Sequence, residues 1–249
     1  MRSIAIANSK GGTGKTTSAR QIASELGKSY HVLLVDLDPQ ASLTDILDLE
    51  GRQVFTIAHA FDDQKRLADV LTPITDTISL AAANDDLLTI EQRLREREGT
   101  GFTLARMLDT VKDRFDYVVI DTIGATDRLI TNAILAADAV LIPARPETTD
   151  RNALGKFLAF VEYVLSIPGA MTAKVGILPT QYVEHIIHHR QALEVIKATG
   201  YRVFTPIGRS VKISEANEER KPLAEFDASN PRAMEYAAVT KELIDWLSQ

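Results

Sequence analysis

The chain has 249 residues, 45% hydrophobic and 25% charged, with 13 Gly, 9 Pro and no Cys. That length suffices for one ordinary domain with a sizeable core, and the absence of cysteine excludes disulfide scaffolds, thiol nucleophiles, Cys-held zinc and thiolate-held iron–sulfur clusters. The net charge of −6 argues against nucleic acid on its face, yet residues 1–150 carry 16 Lys+Arg against 23 Asp+Glu while residues 151–249 carry 12 against 11.

In chain order, Ser3–Ala7 reads as a buried strand, followed by a glycine-rich turn and a helix over Lys15–Leu26. Val32–Asp36 is the next strand, and Ile78–Ala82 a weaker one. Glu91–Glu98 reads as an exposed helix ended by Gly99, and Phe102–Val111 has helical periodicity. Then come a strand at Tyr117–Asp121, a helix over Arg128–Ala136 and a strand at Ala139–Ile142. A helix over Arg151–Leu165 leads to a strand at Val175–Leu178 and a helix over His188–Thr199. Arg202–Thr205 reads as a last strand, and Pro231–Leu247 as a closing helix with proline in its first turn. The alternation predicts an α/β fold, a doubly wound and mainly parallel sheet with helices on both faces. No internal repeat or flexible linker interrupts it, so residues 1–249 read as one domain. In such sheets ligands sit at the carboxyl ends of the strands, and the sharpest motifs fall there.

The strongest motif is Lys10-Gly-Gly-Thr-Gly-Lys-Thr-Thr17 between strand and helix. Gly11, Gly12 and Gly14 permit a tight turn, so that the backbone from Gly11 through Thr13 to Thr17 aims N–H groups at phosphate oxygens. The helix N-terminus behind it favours anions. Lys15 is placed to reach the β- and γ-phosphates, and the Thr16 hydroxyl to bind Mg²⁺. The apolar run Tyr117-Val-Val-Ile-Asp121 has the form of a Walker B strand delivering Asp121 to the metal. Val35-Asp-Leu-Asp-Pro-Gln40 supplies two more carboxylates after the second strand.

Ser9 stands where the general P-loop pattern has glycine, and Lys10 follows it. With this deviant Walker A form the chain resembles the ParA/MinD group of P-loop ATPases. The resemblance implies that Lys10 crosses a dimer interface to the partner protomer's nucleotide, closing an ATP-sandwich homodimer. It assigns Asp38 to the attacking water and the metal shell, and leaves Asp36 a structural or outer role. Lys10, Lys15 and Asp38 are then the catalytic set, with ATP and Mg²⁺ as cofactors. The turn Thr122-Ile-Gly-Ala125 departs from the family's Pro-rich turn, which leaves the motion of that switch open.

Ile207-Gly-Arg-Ser-Val-Lys-Ile-Ser-Glu-Ala216 is similar to the I-P-R-N-V-R-L-S-E-A stretch of ParA/Soj partition proteins, and Lys221-Pro222 with Tyr236 fits the same branch. Gly208 and Ser210 stand where the family's Pro and Asn frame the adenine. The resemblance further implies non-specific DNA binding by the ATP dimer and a ParB-like centromere-binding or adaptor partner. The matching DNA positions are His185, Arg190, Lys197, Arg209 and Lys212. A neutral histidine at 185 weakens one phosphate contact. The basic stretch Lys174–Lys212, opposed only by Glu184 and Glu194, supplies a stripe when two copies pair, although such a run is most often a solvated face.

Two other readings remain. A MinD-like positioning ATPase would need a basic amphipathic tail, whereas Ala237–Gln249 holds Glu242 and Asp245 beside Lys241, so a membrane partner is not expected. A nucleotide-dependent scaffold of very low turnover would exploit the unusual turn after Asp121. Met1–Asn8 lacks signal-peptide character, and no apolar run reaches the ~18–20 residues that cross a bilayer. A cytoplasmic protein, on the nucleoid when ATP-bound, is the expectation.

Overall fold

The computed structural model describes residues 1–47, 49, 55–97, 99–147 and 150–249. Its strands are β1 (Arg2–Ile6), β2 (Val32–Leu37), β3 (Leu71–Pro73), β4 (Ile78–Ala81), β5 (Tyr117–Thr122), β6 (Ala139–Ala144), β7 (Lys174–Pro179) and β8 (Arg202–Val203). They form one sheet in the order β3-β4-β2-β5-β1-β6-β7-β8. All pairings are parallel except β3 with β4, an antiparallel edge.

The helices are α1 (Lys15–Leu26), α2 (Ser42–Ile46), α3 (Ile57–Phe61), α4 (Asp86–Glu96), α5 (Thr103–Asp109), α6 (Arg128–Leu135), α7 (Asp150–Leu165), α8 (Ile187–Lys197), α9 (Lys212–Glu218), α10 (Leu223–Phe226) and α11 (Pro231–Ser248). Strand alternation divides the core between two faces. Leu33, Val35 and Leu37 of β2 join a cluster with residues of α3 to α8, while Val32 and Leu34 join one with α1, α2 and α11.

The predicted order of strands and helices is present. One element differs in character: the stretch read as an exposed helix over Glu91–Glu98 begins five residues earlier and buries Leu87, Ile90 and Leu94. These lie at i, i+3 and i+7, an apolar stripe under a polar helix; Glu98 lies outside the described residues. The strand read at Arg202–Thr205 shortens to two residues. The tail is not a detached amphipathic segment, because α11 buries Ala233, Tyr236, Val239, Thr240, Leu243 and Leu247. No helix among the described residues is long and apolar enough to cross a membrane.

The direction of chain winding reverses at β1, which sits between β5 and β6. Strand β1 feeds the glycine loop, β5 ends near Asp121, and β2 ends near Asp36. The sequence motifs thus converge at the carboxyl ends of these central strands, at the topological switch point.

Candidate nucleotide and metal site

Gly12 and Gly14 have φ of 72° and 86°, a left-handed backbone that only glycine adopts without strain. Gly14 leads directly into α1, so the loop's amides and the helix N-terminus face one concavity. The loop is also held from outside. Asn8 donates through Nδ2 to the Pro143 carbonyl at 2.7 Å and accepts the Lys10 amide at 3.0 Å. From the end of β7, the Thr180 hydroxyl donates to the Thr13 carbonyl at 2.8 Å and Gln181 Nε2 donates to the Gly12 carbonyl at 2.8 Å. The motif does not show these tethers, because Thr180 and Gln181 lie more than 160 residues from their partners.

Lys15 is buried, and its ammonium donates to the Lys10 carbonyl at 3.4 Å. Burial lowers its pKa, while Asp121 and Asp38 pull in the opposite direction. Lys10 itself is half-buried, at the rim of the loop.

Register pairs Asp121 with both Asp36 on β2 and Ile6 on β1. Asp121 is fully buried; one oxygen accepts the Thr122 amide at 3.0 Å, and Oδ2 has no hydrogen-bond partner. Burial first, then the charges of Asp36 and Asp38, push its pKa up to about 8, against the nearby Thr16 hydroxyl and Lys15 ammonium. An orphaned buried carboxylate oxygen beside a hydroxyl is a hard-oxygen donor set that suits Mg²⁺. The residues present therefore fit that ion.

The two carboxylates of the second motif take different roles. Positions 36 and 38 would share a face on a continuing strand, but β2 ends at Leu37 and the chain turns. Asp36 stays inside, accepting the Asp38 amide at 3.0 Å and both the Thr44 amide and hydroxyl at 2.9 and 2.8 Å. Desolvation raises it to about 6 despite those bonds. Asp38 is half-buried and caps its own turn by accepting the Gln40 amide at 2.9 Å. The short helix α2 that holds Asp36 was not visible in the sequence.

The turn after Asp121 closes over the loop. Thr122 donates to the Ile6 carbonyl at 3.0 Å, and a Cβ at Gly124 would stand 3.2 Å from Lys15 Nζ and 3.4 Å from the Gly11 amide nitrogen. Gly124 thus allows a close approach that a side chain would obstruct. In the late loop, a Cβ at Gly208 would lie 1.8 Å from Arg232 Nη1. Glu235 accepts the Gly208 amide at 2.8 Å and pairs with Arg232 at 2.6 Å, so α11 clamps this turn. Ser210 is half-buried and accepts the Lys212 amide at 3.1 Å.

Two of the basic segments meet. The bridge Tyr182–Gly208, with the Arg209 amide donating to the Tyr182 carbonyl at 3.1 Å, brings the loop bearing His185 beside Arg209. His185, Arg190, Lys197, Arg209 and Lys212 are all exposed. Lys197 pairs with Glu194 at 2.8 Å and Lys212 with Glu215 at 2.6 Å, whereas Arg190 and Arg209 make no salt bridge among the described residues. His189 is occupied structurally, its Nδ1 accepting the Val183 amide at 3.1 Å.

Residues 1–168 match a family described as an AAA domain. The sporulation initiation inhibitor protein Soj of Bacillus subtilis (strain 168) is 32% identical, covering 96% of this chain and 97% of its own. Among solved structures, an ATP complex of a Cyanothece McdA variant is similar with a TM-score of 0.89 at 28% identity, covering 98% of this chain and 96% of that one. Cobyrinic acid a,c-diamide synthase from Mycobacterium smegmatis, with a bound ATP analogue and magnesium, is similar with a TM-score of 0.85 at 28% identity, covering 100% and 96%.

Proposed function

The chain belongs to the ParA/Soj family of P-loop partition ATPases, and we propose that it works, as one domain over residues 1–249, as an ATP-driven cargo-positioning switch. In this reading the backbone of Gly11–Thr17 and Lys15 hold the phosphates, and the Gly208–Ser210 turn borders the base. Thr16, Asp38 and Asp121 hold Mg²⁺, which supplies charge neutralisation on the β- and γ-phosphates. Asp38 orients the attacking water from the half-buried end of its turn. Lys10 reaches across a two-fold interface to the partner protomer's nucleotide, a role worth roughly 10³–10⁵ in rate where arginine plays it. The ATP dimer then binds DNA non-specifically through His185, Arg190, Lys197, Arg209 and Lys212 and associates with the nucleoid. A ParB-like adaptor and DNA together stimulate hydrolysis, which releases the dimer.

The observation that carries this reading is the buried Lys15 facing Asp121, whose Oδ2 lacks a partner. It is an arrangement that bound phosphate and a cation complete. Light scattering with ATP and Mg²⁺ tests it. Asp38→Ala should accumulate as a dimer because hydrolysis stops, Lys10→Ala should bind ATP yet stay monomeric, and Lys15→Ala should lose ATP binding. A monomeric Asp38→Ala protein at saturating ATP would overturn the sandwich mechanism. Pelleting with anionic liposomes separates the MinD-like alternative, since ATP-dependent pelleting without DNA binding would favour it.

A further inference from the structure

Beside α1, a cavity of about 520 Å³ opens between β2, the β3–β4 turn and the α9–α10 connection. Leu34, Leu47, Ile74 and Ile78 give it an apolar wall, and Arg20, Lys28, Arg220 and Glu225 are its charged lining. Its described lining includes no residue of the loop Lys10–Thr17, so a ligand held there is independent of the nucleotide reading.

Arg20 is 2% exposed, the largest side chain so fully enclosed among the described residues. Its Nη1 donates to Asn217 Oδ1 at 2.8 Å, a neutral acceptor. Its Nε and Nη2 are buried with no hydrogen-bond partner. Those two nitrogens form the parallel-donor edge of the guanidinium, the edge that grips a carboxylate or phosphate in bidentate fashion. Glu225 is the one acid among the described wall residues; it attracts Arg20 but hydrogen-bonds to neither free nitrogen. Burying a guanidinium with two donors unpaired is costly, and an apolar wall beside it selects a ligand with both characters.

We propose that this cavity binds a small amphipathic oxyanion, its carboxylate or phosphate head on the Nε–Nη2 edge of Arg20 and its aliphatic body along Leu34, Leu47, Ile74 and Ile78. Both nitrogens are closed to solvent in the present conformation, so the head reaches them only when the side chains packed around Arg20 shift. Asn217 of α9 and Leu223 of α10 hang on α1 through Arg20 and Gln21, the latter accepting the Leu223 amide at 3.0 Å. Occupancy therefore acts on the segment that follows the basic turn at Arg209.

Titration calorimetry of the full chain with octanoate and with octyl phosphate tests this, with octanol as the neutral probe of equal tail length. At least one oxyanion should bind saturably at one per chain, and the better of the two identifies the head. Arg20→Met, which keeps an unbranched apolar stem, should weaken that binding at least tenfold, and Glu225→Gln should strengthen it. No saturable binding of either oxyanion, unchanged affinity in Arg20→Met, or octanol binding as well as the oxyanions would each overturn the proposal. Circular dichroism checks that Arg20→Met folds; if it does not, the octanol comparison and Glu225→Gln decide alone.

Discussion

Thr180 illustrates how much of a phosphate loop lies outside its motif. Its hydroxyl is buried and donates to the Thr13 carbonyl at 2.8 Å, so the loop's curvature is fixed from the end of β7 as well as by its own glycines. Thr180→Val keeps the shape and removes the donor, leaving a buried carbonyl unsatisfied at a cost of about 1–3 kcal/mol. Urea denaturation should show that loss, and a fluorescent ATP analogue should bind several-fold more weakly because the amides are no longer pre-aimed. Unchanged affinity would mean that the glycines alone set the loop. Lys15, Thr16 and Asp121 are singled out in the sequence by local spacing and a preceding apolar strand, and Asp38 by the family resemblance. Thr180, Gln181 and Asn8 were not legible, since a single Thr, Gln or Asn at a strand end carries no local pattern and gains its role only once β6 pairs with β1 and β7 with β6.

At the scale of elements, the long pieces announce themselves and the short ones do not. Helix α1 falls on the predicted Lys15–Leu26, whereas α2 and α3 have five residues each and are held by tertiary contacts. In α3 the capping box uses His59 in place of the usual Glu or Gln, so the sequence signature is missing while the geometry is present. Strand β3 has three residues, too few for alternation to register. The closing helix α11 was legible by its Pro231 start, but its bond to α1 was not: the Tyr236 hydroxyl meets Ser18 Oγ at 3.2 Å in a fully buried contact. Burial pushes this phenol up to about 12. A raised pKa means the fold favours the neutral phenol, so that contribution is intact below about 10 and is lost as pH rises from about 10 to about 12. Tyr236→Phe should cost about 1 kcal/mol at neutral pH through the lost hydrogen bond. It should also show a shallower decline in stability than the parent chain between about pH 10 and 12, read by urea midpoints at each pH. Parallel curves for the two proteins would show that Tyr236 is not the alkaline-sensitive joint between α1 and α11.

Across the whole molecule the charge is unevenly distributed along the chain. The acidic first half carries the cation-demanding nucleotide motifs, and its carboxylates Asp121 and Asp38 act on the buried Lys15 at the carboxyl ends of the central strands. The second half presents four of its cations on α8, the Arg209 turn and the start of α9, but not equally. Glu194 and Glu215 already neutralise Lys197 and Lys212 at 2.8 and 2.6 Å, whereas Arg190 and Arg209 are exposed without salt bridges among the described residues. Phosphate contacts release counterions, so each contributes close to one unit to the slope of log affinity against log salt. A dimer doubles every such contact. With ATP, fluorescence anisotropy on duplex DNA between about 50 and 200 mM salt should give a steep slope, and with ADP none. Arg190→Ala and Arg209→Ala should each flatten the slope by about two, one per protomer. Lys197→Ala and Lys212→Ala should flatten it less, because a lysine held by a carboxylate must first give up that partner. Equal losses from all four would place the DNA on the whole basic stretch without regard to its ion pairs, and no loss from Arg190→Ala or Arg209→Ala would remove this surface as the DNA-binding face.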